Sequence, residues 1–193
     1  MNYGVYQNVR DSSWRCLLEA GITELPVSVV KIARHFDINI VKNSVHNLLE
    51  PSQCGVSFVT ERDEWVIVYD DYDSIGRKRF TIAHELGHIL LGHPLKEGLQ
   101  HTRTFNTNRP QVESEADMFA ARILSPACVL WALGLHTAEE IAEQCRISYT
   151  AARIRAERMK ILYARQKFLT SPTERQVFEA FRPWIEEQRN RPD

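Results

Sequence analysis

The feature that most constrains this chain is the pentapeptide His84-Glu85-Leu86-Gly87-His88, which reads His-Glu-x-x-His. The apolar residues around it predict a helix, and residues four apart on a helix lie on the same face. Two imidazoles placed in this way can bind one Zn2+ through ring nitrogens, at about 2.0–2.1 Å. Glu85 projects about 100° around the helix from His84. It would lie beside the metal, where a general base for a water nucleophile is needed.

The pentapeptide is short, so an accidental match has to be considered. The chain has 7 histidines among its 193 residues, and chance would produce the motif in about one such chain in fifty. Two buried histidines on a core helix are therefore the competing interpretation until a third ligand is identified.

Length and composition are typical of an ordinary globular protein. A chain of 193 residues with a net charge of −1 can bury a real core and has no bulk attraction to nucleic acid. The N-terminus lacks a secretory signal pattern, and no apolar run is long enough for a membrane span. Four cysteines without a Cys-x-x-Cys pair suggest buried, reduced thiols. We therefore expect a soluble, cytoplasmic protein with no membrane partner.

Hydrophobic periodicity predicts a mostly helical chain with one small sheet. Segments 37–42, 55–60 and 65–70 predict three strands, of which the last two form a hairpin. Such a sheet needs a helix packed against it, which indicates an α+β fold. Helices are predicted for residues 9–20, from Pro26 onward, for 75–91, for 110–124, after Ser125-Pro126 up to Gly134, and from Ser171 with a break at Pro183.

The C-terminal part is predicted to form a separate helical unit. Thr137 and Ser148 are candidate caps of two helices joined by a tight turn, which is the pattern of a helix-turn-helix. We predict one unit over residues 1–134 and a helical module over 135–193 that packs on it. Segment 95–109 shows no periodicity and is predicted to be a loop that shapes a cleft.

A catalytic zinc site takes three protein ligands, so a third ligand is required. Position 94 is proline, where a metzincin-type motif would need its third histidine. His93 is one residue short of that spacing and is interpreted as cleft wall or helix C-cap. The alternative is a glutamate on the next helix, which offers Glu113 and Glu115. Helical periodicity alone does not choose between them.

Asp117 favours Glu113 as the ligand. It lies four residues after Glu113 on the same helical face. A carboxylate there can accept a hydrogen bond from a zinc-ligating histidine and raise its basicity. The competing interpretation is that both carboxylates are solvated surface charges.

These segments also resemble a known family. RFTIAHELGHILLGHP followed by ESEADMFAARILSP is similar to the ImmA/IrrE family of metallopeptidases, a gluzincin-like group. The similarity extends upstream to GITELPVSVVKIARHFDINIV and downstream to EEIAEQCRISYTAARIR, so that it covers most of residues 10–160. Two positions depart from the family pattern: Asp117 stands where asparagine is common, and Ile-Leu-Ser-Pro at 123–126 stands for Leu-Leu-Met-Pro.

The resemblance implies a zincin-like endopeptidase that cleaves an Xre-type (helix-turn-helix) repressor and derepresses a mobile-element or stress-response operon. Matched by position, it implies that His84, His88 and Glu113 are the metal ligands and that Glu85 is the catalytic base. Asp117 would support a ligand histidine. The expected cofactor is Zn2+, although two histidines and a carboxylate would also accept Mn2+ or another divalent ion.

A competing function is a regulatory protein that binds DNA or a repressor without proteolysis. Arg153, Arg155, Arg158 and Lys160 lie on the second helix of the predicted helix-turn-helix, where they could meet phosphates. Glu157 lies among them and the chain as a whole is not basic. We therefore expect the module to pack on the peptidase and to help hold the repressor. A third hypothesis is an inactive scaffold that binds its partner without cutting it.

Two details of substrate handling stay open at this point. His93, His101 and Tyr149 are candidate donors to the oxyanion of the transition state, and the sequence does not rank them. The strand over 65–70 could present an edge to an extended substrate.

Overall fold

The computed structural model describes residues 3–93, 100–102 and 111–190. These residues form the mainly helical α+β fold that the sequence predicts. The described elements are, in chain order, α1 (Tyr3–Glu19), α2 (Val29–His35), β1 (Asn39–Lys42), α3 (Asn43–His46), β2 (Gly55–Val59), β3 (Trp65–Tyr69), α4 (Ile75–Leu90), β4 (Gln100–Thr102), α5 (Gln111–Leu124), α6 (Ala127–Leu133), α7 (Ala138–Cys145), α8 (Tyr149–Ala164) and α9 (Pro172–Arg189).

The sheet is mixed, with the strand order β1-β3-β2-β4. β2 and β3 form the predicted antiparallel hairpin, and β1 runs parallel to β3. The three predicted strands are present, and a fourth strand, β4, pairs antiparallel with β2. The sequence does not predict β4, because three residues are too few to show a recognisable alternation of apolar and polar side chains. It lies within the predicted loop over 95–109, whose other residues fall outside the described part of the chain.

The sheet edges differ from the sequence expectation. β3 lies between β1 and β2, so the prediction that this strand offers an edge to a substrate is wrong. Within the described residues, the edges of the sheet are β1 and β4. β4 borders β2, one of the two strands that pack on the central helix.

α4 is the central helix that carries the His-Glu-x-x-His motif. Its N-terminus is capped by Ser74, whose hydroxyl accepts a hydrogen bond from the Arg77 N–H at 3.4 Å; such caps contribute about 1 kcal/mol. Residues 81–88 are all buried, because β2 and β3 pack on one side of the helix and α5 packs on the other. The motif therefore lies between the sheet and α5.

One apolar core extends across most of the chain. It runs from Val9 in α1 to Ile185 in α9 and includes residues from α4 to α8. α9 packs against α1 and α6, so core contacts cross the predicted boundary between 134 and 135. The division into two units stays a prediction.

The predicted helix-turn-helix corresponds to α7 and α8, which are capped by Thr137 and Ser148 as expected. The turn between them lies against the first turn of α4. A Cβ added at Gly76 would lie only 2.7 Å from the Ser148 backbone nitrogen. The turn between α7 and α8 therefore packs directly on the helix that carries the motif.

Two helix boundaries that we predicted from the positions of prolines are wrong. α2 begins at Val29, capped by Ser28, and Pro26 lies before it in a cis peptide bond. Pro183 lies inside α9 without interrupting it. The buried residues on the α9 face that includes Phe181 provide tertiary packing, which outweighs the loss of one backbone hydrogen bond.

Two compositional expectations can be compared with the structure. The stretch Gln111–Leu133 has the length and mean hydropathy of a membrane span, although 67% of its most apolar window is buried inside the protein. It covers α5 and α6, and both helices contribute residues to the core. The four cysteines are buried thiols, as predicted. Burial raises the pKa of Cys16, Cys128 and Cys145 to about 12, so these three are unreactive.

Candidate metal centre

Three side chains from α4 and α5 converge on one point. His84 and His88 are fully buried, and their Nε2 atoms lie 3.0 Å apart. Glu113, in the first turn of α5, places Oε2 3.3 Å from His84 Nε2 and Oε1 3.6 Å from His88 Nε2. Within the described residues, these three form a group whose candidate ligand atoms all lie within 4.8 Å of one another.

This spacing fits a tetrahedral divalent ion. Ligand atoms that are about 2.0–2.1 Å from a tetrahedral metal lie about 3.3–3.4 Å from one another. The two imidazole nitrogens are 3.0 Å apart here, and the Glu113 oxygen nearest to each lies at 3.3 Å (Oε2) and 3.6 Å (Oε1). Two imidazole nitrogens and one carboxylate are also the donor set of a common class of catalytic zinc site. The residues present are therefore suited to hold Zn2+.

Gly87 permits the close approach of α5 to α4. A Cβ at this position would lie 3.1 Å from Ala116 Cα, 3.2 Å from the Ala116 carbonyl oxygen and 3.3 Å from Phe119 Cβ. Because the nearest atoms belong to the backbone, a side chain here would push α5 outward. Glu113 would then move away from both histidines.

Asp117 orients His84 from behind. Its Oδ1 lies 2.8 Å from His84 Nδ1, so Nδ1–H donates to the carboxylate and Nε2 is the nitrogen that faces Glu113. Burial alone would lower the pKa of His84, but the hydrogen bonds to Asp117 and Glu113 outweigh it and raise that pKa. Burial would likewise raise the pKa of Glu113, but its hydrogen bonds with His84 and His88 hold it well below the usual range. Glu113 is therefore an ionised carboxylate, as a metal ligand must be.

His93 and Glu115 form a hydrogen-bonded chain behind His88, as Asp117 does behind His84. We call each of these two supports an arm. His88 Nδ1 lies 3.0 Å from His93 Nδ1, and His93 Nε2 lies 3.1 Å from Glu115 Oε2. One proton arrangement satisfies the whole arm: His88 Nδ1–H donates to His93, and His93 Nε2–H donates to Glu115. Glu115 is thus engaged with His93, whereas Glu113 faces the two histidines. The geometry separates the two glutamates that sequence periodicity left equivalent.

The sequence analysis missed this arm because it depends on a backbone turn. Gly92 adopts a left-handed conformation with φ +66°, and the His93 N–H donates to the His88 carbonyl at 3.0 Å. This turn folds His93 back toward His88. A glycine directly after a predicted helix was the available signal, since glycine commonly ends helices in this conformation.

Glu85 lies on the sheet side of α4 and is fully buried. Its Oε2 accepts a hydrogen bond from Ser57 Oγ at 2.7 Å. At the start of β2, a Cβ on Gly55 would lie 2.3 Å from Thr81 Cγ2 and 3.5 Å from Glu85 Oε1, so glycine allows the strand to approach the helix. The sequence analysis did not identify Ser57, although a small polar residue on a buried strand was a signal.

Comparison with protein families gives a match over the region that contains this site. Residues 33–157 match the Peptidase_M78 family, described as the IrrE N-terminal-like domain. The chain belongs to this metallopeptidase family. The match covers well over half of the chain and confirms the resemblance found in the sequence. No curated protein matches the chain.

Membership supports the coarse chemistry of the site. The protein is a metallopeptidase of the IrrE/ImmA type, which implies a divalent metal and a protein substrate. The matched region contains His84, Glu85, His88, Glu113 and Asp117, and the structure brings the three candidate ligands together.

The three candidate oxyanion donors of this metallopeptidase have different surroundings. His93 is hydrogen-bonded to Glu115 and lies beside His88. The hydroxyl of Tyr149 donates to Glu139 at 3.2 Å, and Tyr149 is 56% exposed. His101 is opposite Ser57 in the pairing of β4 with β2, and its side chain falls outside the described part of the structure. The choice among them stays open.

Proposed function

We propose that this metallopeptidase is a zinc-dependent endopeptidase that cleaves an Xre-type repressor in the cytoplasm and so derepresses a mobile-element or stress-response operon. The observation that carries the proposal is the convergence of His84, His88 and Glu113, with separations of 3.0, 3.3 and 3.6 Å between their ligand atoms. The class of substrate rests on the family resemblance.

The proposed roles follow from the positions of the side chains. His84, His88 and Glu113 would hold Zn2+, with Asp117 keeping the His84 imidazole in the ligating tautomer. When bound, the ion polarises the scissile carbonyl and lowers the pKa of a water molecule toward about 7. Mn2+ or another divalent ion could replace it.

Glu85 is the proposed general base. It would accept the proton of the attacking water and deliver it to the leaving amine. The hydrogen bond from Ser57 fixes the rotamer of the carboxylate. Burial beside the sheet keeps bulk water away from this proton transfer.

The sheet supplies a place for an extended substrate. β4 is an edge of the described sheet and pairs with β2, whose Ser57 contacts Glu85. A peptide that adds to β4 as a further strand would run beside the catalytic helix, and its backbone would supply the binding hydrogen bonds.

The decisive test of this function compares wild type with Glu85→Gln. Both proteins are loaded with zinc and incubated with candidate Xre-type repressors. Glu143→Gln, at an exposed position on α7, is the matched control. We expect cleavage by wild type and by the control, and none by Glu85→Gln, at equal zinc content.

Either of two results would contradict the proposal. Equal cleavage by Glu85→Gln would remove the assigned base. An intact repressor after incubation with the zinc-loaded wild type would remove the assigned substrate class.

The competing function, DNA binding through α8, stays a prediction. Two of the cationic side chains on which it rests have partners within the protein. Arg155 donates to the Ser125 carbonyl oxygen, and Lys160 pairs with Glu157 at 2.7 Å. The Arg155 contact supports packing as the role of the module, whereas Lys160 and Glu157 form an exposed pair within α8. Salt-dependent binding of duplex DNA by the full chain, weakened by Arg153→Ala, would promote the alternative.

A further inference from the structure

A large groove lies beside α8. It has a volume of about 710 Å³ and is lined mainly by residues of α1, α4, α5 and α8, with one residue each from α6 and α9. Its apolar lining includes Trp14, Phe80, Met118, Ile154 and Ile161. The described lining residues do not include the candidate metal ligands or the candidate base. The function proposed above therefore does not account for this groove.

α8 is apolar on two sides, which is unusual for a surface helix. Ala152, Ala156 and Met159 are buried. Ile154 and Ile161 line the groove instead and are 65% and 41% exposed. They are seven residues apart, so they lie on one face about two turns apart. Exposed apolar side chains along a groove are typical of a protein-binding surface.

The polar lining of the groove is strongly basic. The described lining residues include six cationic side chains and one carboxylate, Glu174; beside the lining, Asp11 pairs with one of the six, Arg10, at 3.4 Å. The six are Arg10, Arg122, Arg155, Arg158, Arg165 and Lys167. Glu174 itself accepts a hydrogen bond from the Thr170 N–H at 3.0 Å. Because the whole chain has a net charge of −1, this positive charge is local and selects an acidic occupant.

The groove adjoins the metal centre along two helices. Phe80 lies one turn before His84 on α4, and the centroids of the two rings are 6.4 Å apart. Met118 follows Asp117 on α5. A chain segment held in the groove would therefore place its neighbouring residues close to His84 and Asp117.

We propose that this groove docks an acidic amphipathic helix of the protein substrate. The apolar face of that helix would pack on Met118, Ile154 and Ile161, and its carboxylates would meet the arginines of the groove. This is the helix-in-groove mode of recognition, in which apolar anchors recur at helical spacing. The assignment of the occupant to the substrate rests on the endopeptidase function proposed above.

The first test measures binding without catalysis. The probe is a fluorescein-labelled peptide of about 18 residues, or five helical turns, built from Leu, Ala and Glu with the leucines on one face. One control peptide has the same composition with scattered leucines, and a second has Lys in place of Glu. Fluorescence anisotropy with the metal-free full chain should show binding of the probe at least about tenfold tighter than of either control. Equal binding of all three peptides overturns the proposal.

Substitutions in the groove locate the binding. Ile154→Glu and Arg158→Glu should each weaken binding of the probe by about tenfold or more. The matched controls are Val45→Glu on α3, which is 67% exposed, and Arg153→Glu, which is exposed on α8 and absent from the lining. All four positions are exposed, so we expect folded proteins, and circular dichroism checks this. Unchanged binding in both groove variants overturns the proposal.

Competition identifies the occupant. Displacement of the probe by vesicles of anionic phosphatidylglycerol, with no displacement by neutral vesicles, would assign the groove to a lipid surface. A dimer of the wild-type chain that Ile154→Glu dissociates would assign it to a second copy. Either result overturns the docking of a substrate helix.

Cleavage separates this inference from the proposed function. If the zinc-loaded enzyme cleaves a repressor, Ile154→Glu should raise KM and leave kcat unchanged, because docking precedes the chemical step. Unaltered cleavage by Ile154→Glu overturns the docking and leaves the endopeptidase function intact. Tight binding of the probe together with an uncut repressor contradicts the endopeptidase and leaves the groove as a binding site.

Discussion

A carboxylate supports each candidate ligand histidine through the ring nitrogen that does not face Glu113. One arm consists of the carboxylate alone, and the other includes a further histidine. Asp117 accepts from His84 directly at 2.8 Å. Glu115 acts on His88 through His93, with contacts of 3.1 and 3.0 Å. Both arms leave Nε2 as the nitrogen that faces Glu113. The carboxylates thereby fix the tautomer of each imidazole before a metal binds.

The two arms should contribute separately to metal affinity. Asp117→Ala and His93→Ala are each expected to weaken zinc binding by about 10–100-fold, because a free imidazole loses its orientation and some of its basicity. A competition titration against a chelator measures the effect. Unchanged affinity in both single variants would show that the arms are unimportant for the metal.

Ser57 should affect catalysis and leave metal binding unchanged. Its hydroxyl contacts the candidate base Glu85 at 2.7 Å and makes no described contact with the three candidate ligands. We expect Ser57→Ala to lower kcat about tenfold at constant zinc affinity. Cleavage assays and a zinc titration of the same preparation check this. A parallel loss of zinc affinity would mean that Ser57 supports the site as a whole.

The sequence identified residues whose relation is periodic and missed those whose relation is tertiary. His84, Glu85 and His88 follow from helical spacing, and Asp117 follows from its position one turn after Glu113. Ser57 contacts Glu85 only because β2 packs on α4. No spacing rule connects two segments 28 residues apart.

At the scale of elements, the pairing of α4 with α5 builds the site, and two glycines on α4 set its contacts. Gly87 meets Ala116 on α5, and Gly76 meets the turn before α8 at Ser148. The first contact brings Glu113 to the histidines. The second contact places the turn between α7 and α8 against the N-terminal end of the same helix.

These two glycines should have separable effects when changed to alanine. Gly87→Ala gains about 0.5–1 kcal/mol of helix propensity and loses about 1–3 kcal/mol to overpacking against α5. Its free energy of unfolding should therefore fall by about 0–2.5 kcal/mol, while zinc affinity falls as Glu113 moves away. Gly76→Ala should lower the free energy of unfolding and preserve zinc affinity.

Denaturant titration and zinc titration of both glycine variants provide the test. Equal loss of zinc affinity in the two variants would indicate a general effect of helix substitution. The close approach of α5 to α4 would then not depend specifically on Gly87.

Helices and strands were predicted correctly where a long segment keeps one periodic pattern of buried residues. α4, α5, α7 and α8 have many buried positions at helical spacing, and the β2–β3 hairpin has two strands of five residues. β4 has three residues and forms only because β2 offers a partner. Pro26 misled the start of α2, which Ser28 caps, and Pro183 misled the course of α9, where packing outweighed local propensity.

At the scale of the whole molecule, the core joins the predicted N-terminal and C-terminal units. Leu17 in α1 and Phe181 in α9 belong to the same apolar cluster and are fully buried. Arg79 on α4 donates to the carbonyl oxygens of Val27 and Cys145, which links α4 to both units. The two predicted units should therefore unfold together.

Thermal and denaturant unfolding of the full chain should each show one transition, with the same midpoint by fluorescence and by circular dichroism. Residues 1–134 alone should lack a cooperative transition, because removal of α9 exposes the apolar faces of α1 and α6. Two separated transitions in the full chain would instead establish independent domains.

The proposed metal centre depends most on Glu113 as its third ligand. One zinc-binding measurement tests this role of Glu113. Wild type, Glu113→Gln and Glu115→Gln are stripped of metal, reloaded, and titrated with zinc in competition with a chelator. We predict one zinc per wild-type chain, a much larger loss of affinity in Glu113→Gln, and a smaller loss in Glu115→Gln through the arm at His93. No zinc bound by wild type, or a greater loss in Glu115→Gln, would contradict the metal centre described above.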